Sequence, residues 1–116
     1  GFVHRHGHPR GAGTFPKVIR QYVRERKIMT LIEALRKMTI MPADRVGLSE
    51  KGEIKEGMDA DIVIFDENTI ADKATFEEPT LVPEGIDYVL VGGNIAADHG
   101  KIVSDNSGRY IRYKNR

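Results

Sequence analysis

Apolar and polar positions along the chain change period once, around Gly52. Before it they recur at helical spacing; after it they come in short apolar runs separated by glycine, proline and acidic residues, the pattern of strands and turns. Val18, Ile19, Tyr22 and Val23, set against Lys17, Arg20, Gln21 and Arg24, predict an amphipathic helix ending near Arg26. Thr14 is placed to cap it, with Pro16 in a first turn whose amide hydrogens have no intrahelical partner. Thr30 and Glu33 form a capping box for a second helix with a buried stripe of Leu31, Ile32, Leu35 and Met38. Pro42 predicts a break near Ile40 or Met41, then a short turn from Ala43 to Val46 that stops at Gly47. Gly1 to Gly13, rich in glycine and histidine and without periodicity, reads as a loop.

The second half is organised around Gly52 to Asp66, which ends in the run Ile62-Val63-Ile64-Phe65. A continuous apolar run, unlike strict alternation, predicts a strand covered on both faces and inside a sheet. Glu67 to Pro83 reads as a long surface loop, a feature that compact domains reserve for function or for packing on a partner. Ile86 to Val91 is the next strand, Gly92-Gly93 a tight hairpin turn, and Asn94 to Ala97 its return. Asp98-His99-Gly100 turns into Lys101-Ile102-Val103. The pattern is α+β: helices first, then a small β-sheet.

Composition narrows the partners. At 116 residues the chain suits one core, and its net charge of +1 provides no field to hold nucleic acid or an anionic membrane. The basic tail, with Tyr110 and Tyr113 between Arg109, Arg112, Lys114 and Arg116, is the one local exception and reads as a solvated end. With no cysteine there are no disulfides or thiolate ligands, in keeping with a reducing, cytoplasmic location. Apolar runs reach about four residues, against the roughly 20 that span a bilayer. His4, His6 and His8 alternate, so an extended strand would put three imidazoles on one face, a spacing able to hold a divalent metal. No carboxylate lies near them, and tight metal binding is not expected.

Several of these stretches resemble a known family. Gly52 to Asp66, with its Gly-Met-Asp-Ala-Asp and apolar strand ending in Asp, is similar to the C-terminal segment of the amidohydrolase superfamily. His8-Pro9-Arg10 with Gly13-Thr14-Phe15-Pro16, Leu31 to Met38 followed by Pro42-Ala43 and Val46-Gly47-Leu48, and above all Ala71-Asp72-Lys73-Ala74-Thr75-Phe76-Glu77-Glu78-Pro79 continued by Pro83-Glu84-Gly85 resemble one branch, the D-aminoacylases or N-acyl-D-amino-acid deacylases. The likeness covers about Gly7 to Ile111. It departs at Gly92-Gly93-Asn94, where Asn-Gly is more usual, and in the dense histidines before Pro9.

The resemblance implies a C-terminal portion of a zinc-dependent TIM-barrel enzyme that hydrolyses the amide of N-acyl-D-amino acids, a zinc-bound hydroxide attacking the carbonyl while an aspartate shuttles the proton. Residues 1–48 would be the last loop and helices of the barrel, and residues 49–116 part of a small β-sandwich. No aspartate precedes Asp44, so neither the metal site nor the catalytic aspartate is expected in this chain, and alone it is expected to be inactive. His8 and Arg10 would line the active-site mouth, Arg10 pairing with a substrate carboxylate, or would only orient the loop. The partner expected is the rest of an amidohydrolase chain or a second copy. Two other classes stay open: a non-catalytic, self-associating scaffold module, and a metal- or nucleic-acid-binding module built on the histidines or the tail.

Overall fold

The computed structural model describes residues 7–112. Helix α1 (Arg10–Lys17) starts five residues earlier than the pattern predicted and continues without interruption into a π-helical stretch, Val18–Glu25. The N-cap is Pro9, not Thr14, and no cap side chain bonds there; the Arg10 amide hydrogen is accepted by His8 Nδ1 at 3.1 Å. Thr14 therefore lies inside the helix, its hydroxyl donating back to the Arg10 carbonyl at 2.7 Å. Pro16 is interior too, not in the first turn. The wider winding beyond it shows where the Arg26 amide reaches the Gln21 carbonyl at 2.8 Å.

Helix α2 (Leu31–Met38) forms with the threonine half of the expected capping box, Thr30 Oγ1 accepting from the Glu33 amide at 3.2 Å. Its inner stripe is centred on Ala34, which is fully buried, while Ile32 is 72% exposed and falls outside it. Leu31, Ala34, Leu35 and Met38 have the spacing of one face; Ile32 is rotated off it. The break comes at Thr39, and α3 (Ile40–Arg45) keeps Pro42 within its first turn, where no hydrogen bond is lost. Gly47, at φ +76, ends it as expected: its amide bonds to Asp44 and that of Leu48 to Ala43, at 3.2 and 2.9 Å.

Four antiparallel strands follow as a meander in the order β1-β2-β3-β4: Ile62–Phe65, Ile86–Val91, Asn94–Asp98 and Lys101–Ile102. Gly92 and Gly93, both at positive φ, make the two-residue turn that pairs Val91 with Asn94. β1 corrects the prediction of an interior strand. It is an edge, paired to β2 alone, and Val63 and Ile64 are about half exposed. The apolar run records a strand that needs covering, and no other described segment covers it. The segment Glu67 to Pro83 is also less open than predicted. Ala71 bridges to Glu84, and Ile70 and Ala71 are buried.

Those two residues join Ile19, Ala34 and Ala43 in the buried apolar core, to which no strand residue belongs. The core lies among the helices and the 66–72 turn, leaving the sheet half covered. Accessible surface is 9068 Å², whereas a compact monomer of this mass exposes about 6,300 Å². Among the described residues no helix is long and apolar enough to cross a membrane.

Candidate functional site

The start of α1 and the 71–79 segment face each other across a cleft of about 400 Å³ lined by His8, Arg10, Lys17, Tyr22, Asp72 and Phe76, among others. Its walls are tied at two points. At the π-helical end, Arg20 Nε donates to Asp72 Oδ1 at 2.6 Å while Nη1 bonds both oxygens of Glu25 at 3.0 Å. Asp72, followed by Glu25, holds the Arg20 guanidinium above its ordinary pKa against the opposing effect of burial. At the mouth, the Phe76 ring meets His8 edge to face, centroids 5.1 Å apart. Arg24 adds a bond to the Glu67 carbonyl at 2.9 Å.

The charge inside is asymmetric. Asp72 is neutralised by Arg20, and among the described residues Arg10 and Lys17 make no ion pair, so the cleft presents two cations above a partly apolar floor. That combination suits a carboxylate attached to an apolar group. Of the residues singled out in the sequence, His8 and Arg10 come together here; His4 and His6 lie outside the described residues. Among the described residues no cluster of three His, Cys, Asp or Glu converges, and His8 Nδ1 accepts the Arg10 amide.

The sequence pattern missed Lys17, Asp72 and Phe76. The signal for Asp72 and Phe76 was the unusual length of their loop, which announces a function without saying which side chains turn inward.

Two other features lie away from the cleft. Lys51 Nζ pairs with Asp59 at 3.0 Å and with Asp61, whose other oxygen accepts the Gly92 amide at 2.9 Å; Arg109 reaches Asp59 at 3.3 Å. Lys51, above all, holds both carboxyls below their ordinary range, and Asp61 in turn raises Lys51. Tied on every side, the cluster is a clasp joining the 51–61 segment to the β2–β3 turn. A wide apolar groove of about 720 Å³ runs along Leu35, Pro42, Leu48, Ile54, Val63 and Phe65.

Helices running into a small antiparallel sheet give an α+β architecture, and it matches part of the amidohydrolase fold. Residues 5–97 match the model of the amidohydrolase family, and the chain belongs to that family. Over 88 residues it is 47% identical to the N-acyl-D-glutamate deacylase of Alcaligenes xylosoxydans xylosoxydans, covering 76% of this chain and 18% of that protein. A crystal structure of D-aminoacylase superposes with a TM-score of 0.84 at 41% identity, over 88% of this chain and 22% of the other. The N-acyl-D-glutamate deacylase of Bordetella bronchiseptica, solved with zinc and a phosphonate mimic of the tetrahedral intermediate, superposes with a TM-score of 0.75 at 45% identity, over 79% and 20%. The chain thus spans about a fifth of the length of the curated relatives it matches.

Proposed function

We propose that these residues serve a metal-dependent hydrolase of N-acyl-D-amino acids, and that their cleft receives the substrate's carboxylate. The observation that carries this reading is that Arg10 and Lys17 both line one cleft, whose carboxylate, Asp72, is already taken by Arg20. Arginine offers a planar fork that matches a carboxylate with two parallel bonds; Lys17 adds a point charge. His8 orients the turn on which Arg10 stands. In this reading residues 1–48 close a barrel and residues 49–116 belong to a β-sandwich. Zinc supplies the activated water from elsewhere in the enzyme, and no step of that chemistry belongs to the cleft.

A chimera tests the proposal. Residues 7–112 replace the matching segment of the Alcaligenes N-acyl-D-glutamate deacylase, and hydrolysis of N-acetyl-D-glutamate is measured. The chimera is expected to turn over, and Arg10→Ala in it to raise KM at least tenfold, the loss of about one charge-assisted hydrogen bond. A folded, zinc-loaded chimera whose KM ignores Arg10→Ala would sink the carboxylate reading.

A further inference from the structure

Phe76 reaches the cleft from the far half of the chain, and three local devices hold it there. The first is the Arg20–Asp72 pair, with both side chains mostly covered. The second is contact without a spacer: a Cβ on Gly13 would stand 2.9 Å from Asp72 Cβ, so α1 and the loop touch where a larger residue would part them. The third is a closed turn around Phe76 itself, Thr75 accepting the Glu78 amide on Oγ1 at 3.0 Å and donating its own amide to the Glu78 carbonyl at 3.1 Å. A ring that is 74% exposed is not placed by burial, so these bonds set its position.

The neighbour against which Phe76 is placed has a task. Phe76 packs on His8 at an interplanar angle of 75°, and His8 Nδ1 accepts the amide hydrogen of Arg10. One chain of contacts therefore runs from Arg20 through Asp72, the 75–78 turn, Phe76 and His8 to the first residue of α1. Exposed imidazoles rotate freely among rotamers; an aromatic edge on one side removes that freedom and keeps Nδ1 aimed at the helix start.

We propose that Phe76 is a positioning residue for Arg10, acting through the His8 ring, so that the loop of the sheet-bearing half fixes the cation that binds carboxylate on the helical half. This rests on the carboxylate reading of the cleft and adds to it a residue that never needs to touch the ligand's charge. A carboxylate ligand of this site is therefore felt by the 71–79 loop, although no bond joins the two.

The test uses the 116-residue chain, N-acetyl-D-glutamate as probe, and NMR titration of wild type, Phe76→Ala, Phe76→Tyr, Arg20→Ala and Arg10→Ala. Phe76→Ala is expected to weaken binding about tenfold, the worth of one well-aimed charge-assisted bond, and to move the His8 ring protons as the neighbouring aromatic edge is lost. Phe76→Tyr restores both. Arg20→Ala, which releases the loop from outside the cleft, produces the same ring shift. Phe76 is so exposed that its removal leaves no buried cavity, and amide dispersion confirms a folded variant. If wild type does not bind the probe, the carboxylate reading and this inference fall together. If Arg10→Ala abolishes binding while Phe76→Ala leaves it intact, the cleft stands and the positioning role falls. Weakened binding with unmoved His8 ring protons also overturns it, since the route through the imidazole is then wrong.

Discussion

Gly85→Ala should be among the most damaging single-methyl changes in this chain. Gly85 sits at φ +81, and a Cβ there would lie 2.4 Å from Ile70 N, 2.5 Å from Ile70 Cα and 2.7 Å from Thr69 C. The left-handed backbone alone costs about 1–2 kcal/mol for a residue bearing a Cβ. The contact costs more, because the atoms met are backbone and no rotamer change relieves it. The 66–70 turn must move away by roughly the difference between a clash and van der Waals contact. That movement strains three bonds joining the turn to residues 84 and 85: Asp66 N to Gly85 O at 2.9 Å, and the reciprocal Ala71–Glu84 pair at 3.0 Å each. At about 1 kcal/mol net per bond, the total comes to about 4 kcal/mol, a large share of the 5–15 kcal/mol that holds a small domain together. Ile70, one of the buried core residues, moves with them.

Gly57 is the control. It has a similar φ of +87 and nothing within 4 Å of its would-be Cβ, so Gly57→Ala bears the backbone cost alone. Urea unfolding followed by circular dichroism, at one fixed protein concentration, should place Gly57→Ala about 1–2 kcal/mol below wild type and Gly85→Ala about 4. Equal losses for the two variants would show that the close approach of residues 69–70 to Gly85 contributes nothing.

Three further outcomes follow from the same contacts. Asp72→Asn and Arg20→Ala should each cost about 1 kcal/mol and, in a double-mutant cycle, couple by a similar amount; Arg20→Lys should not rescue, because Arg20 divides its fork between Asp72 and Glu25. Additive losses would refute the pair. Asp61 has its pKa depressed by Lys51 and the Gly92 amide, so its stabilisation is present above the ordinary carboxylate pKa and fades as pH falls through that value toward the lower folded one. Wild type should lose more stability between pH 7 and pH 3 than Asp61→Asn, and equal acid sensitivity in the two would count against the clasp. Finally, the 116-residue chain at micromolar concentration should scatter light as a dimer or larger; a monomer with a cooperative melt and no binding of an apolar dye would refute it.

What could be read in the sequence was what is decided within a few residues. Thr30 caps because its own hydroxyl reaches Glu33, and Gly47 ends α3 because only a residue tolerant of positive φ closes that turn. Gly92-Gly93 dictates its hairpin in the same way. The start of α1 was misread because its N-cap, Pro9, offers no capping side chain, and His8, which accepts the Arg10 amide, is not a usual partner for a helix start. Asp72 and Phe76 were out of reach for a different reason. Their partners, Arg20 and His8, are more than fifty residues away, and nothing local in Ala71 to Pro79 says which side of the loop faces them.

β1 carries this reasoning furthest, since its sequence and its surroundings disagree. Ile62 to Phe65 has the composition of a strand covered on both faces, yet Val63 and Ile64 are about half exposed and its outer edge is unpaired among the described residues. The discrepancy has a size: the accessible surface exceeds that of a compact monomer of the same mass by about 2,700 Å². For the chain alone in solution a second copy is the cover available, and the apolar groove beside β1, from Leu35 to Phe65, gives it a place to sit. Charge decides where such a contact can be disrupted. Lysine at Val63 would put an ammonium on the exposed apolar run, and Val63→Lys should shift the chain toward monomer without unfolding it, because that side chain is already half in water. Unchanged light scattering in that variant would move the association away from β1.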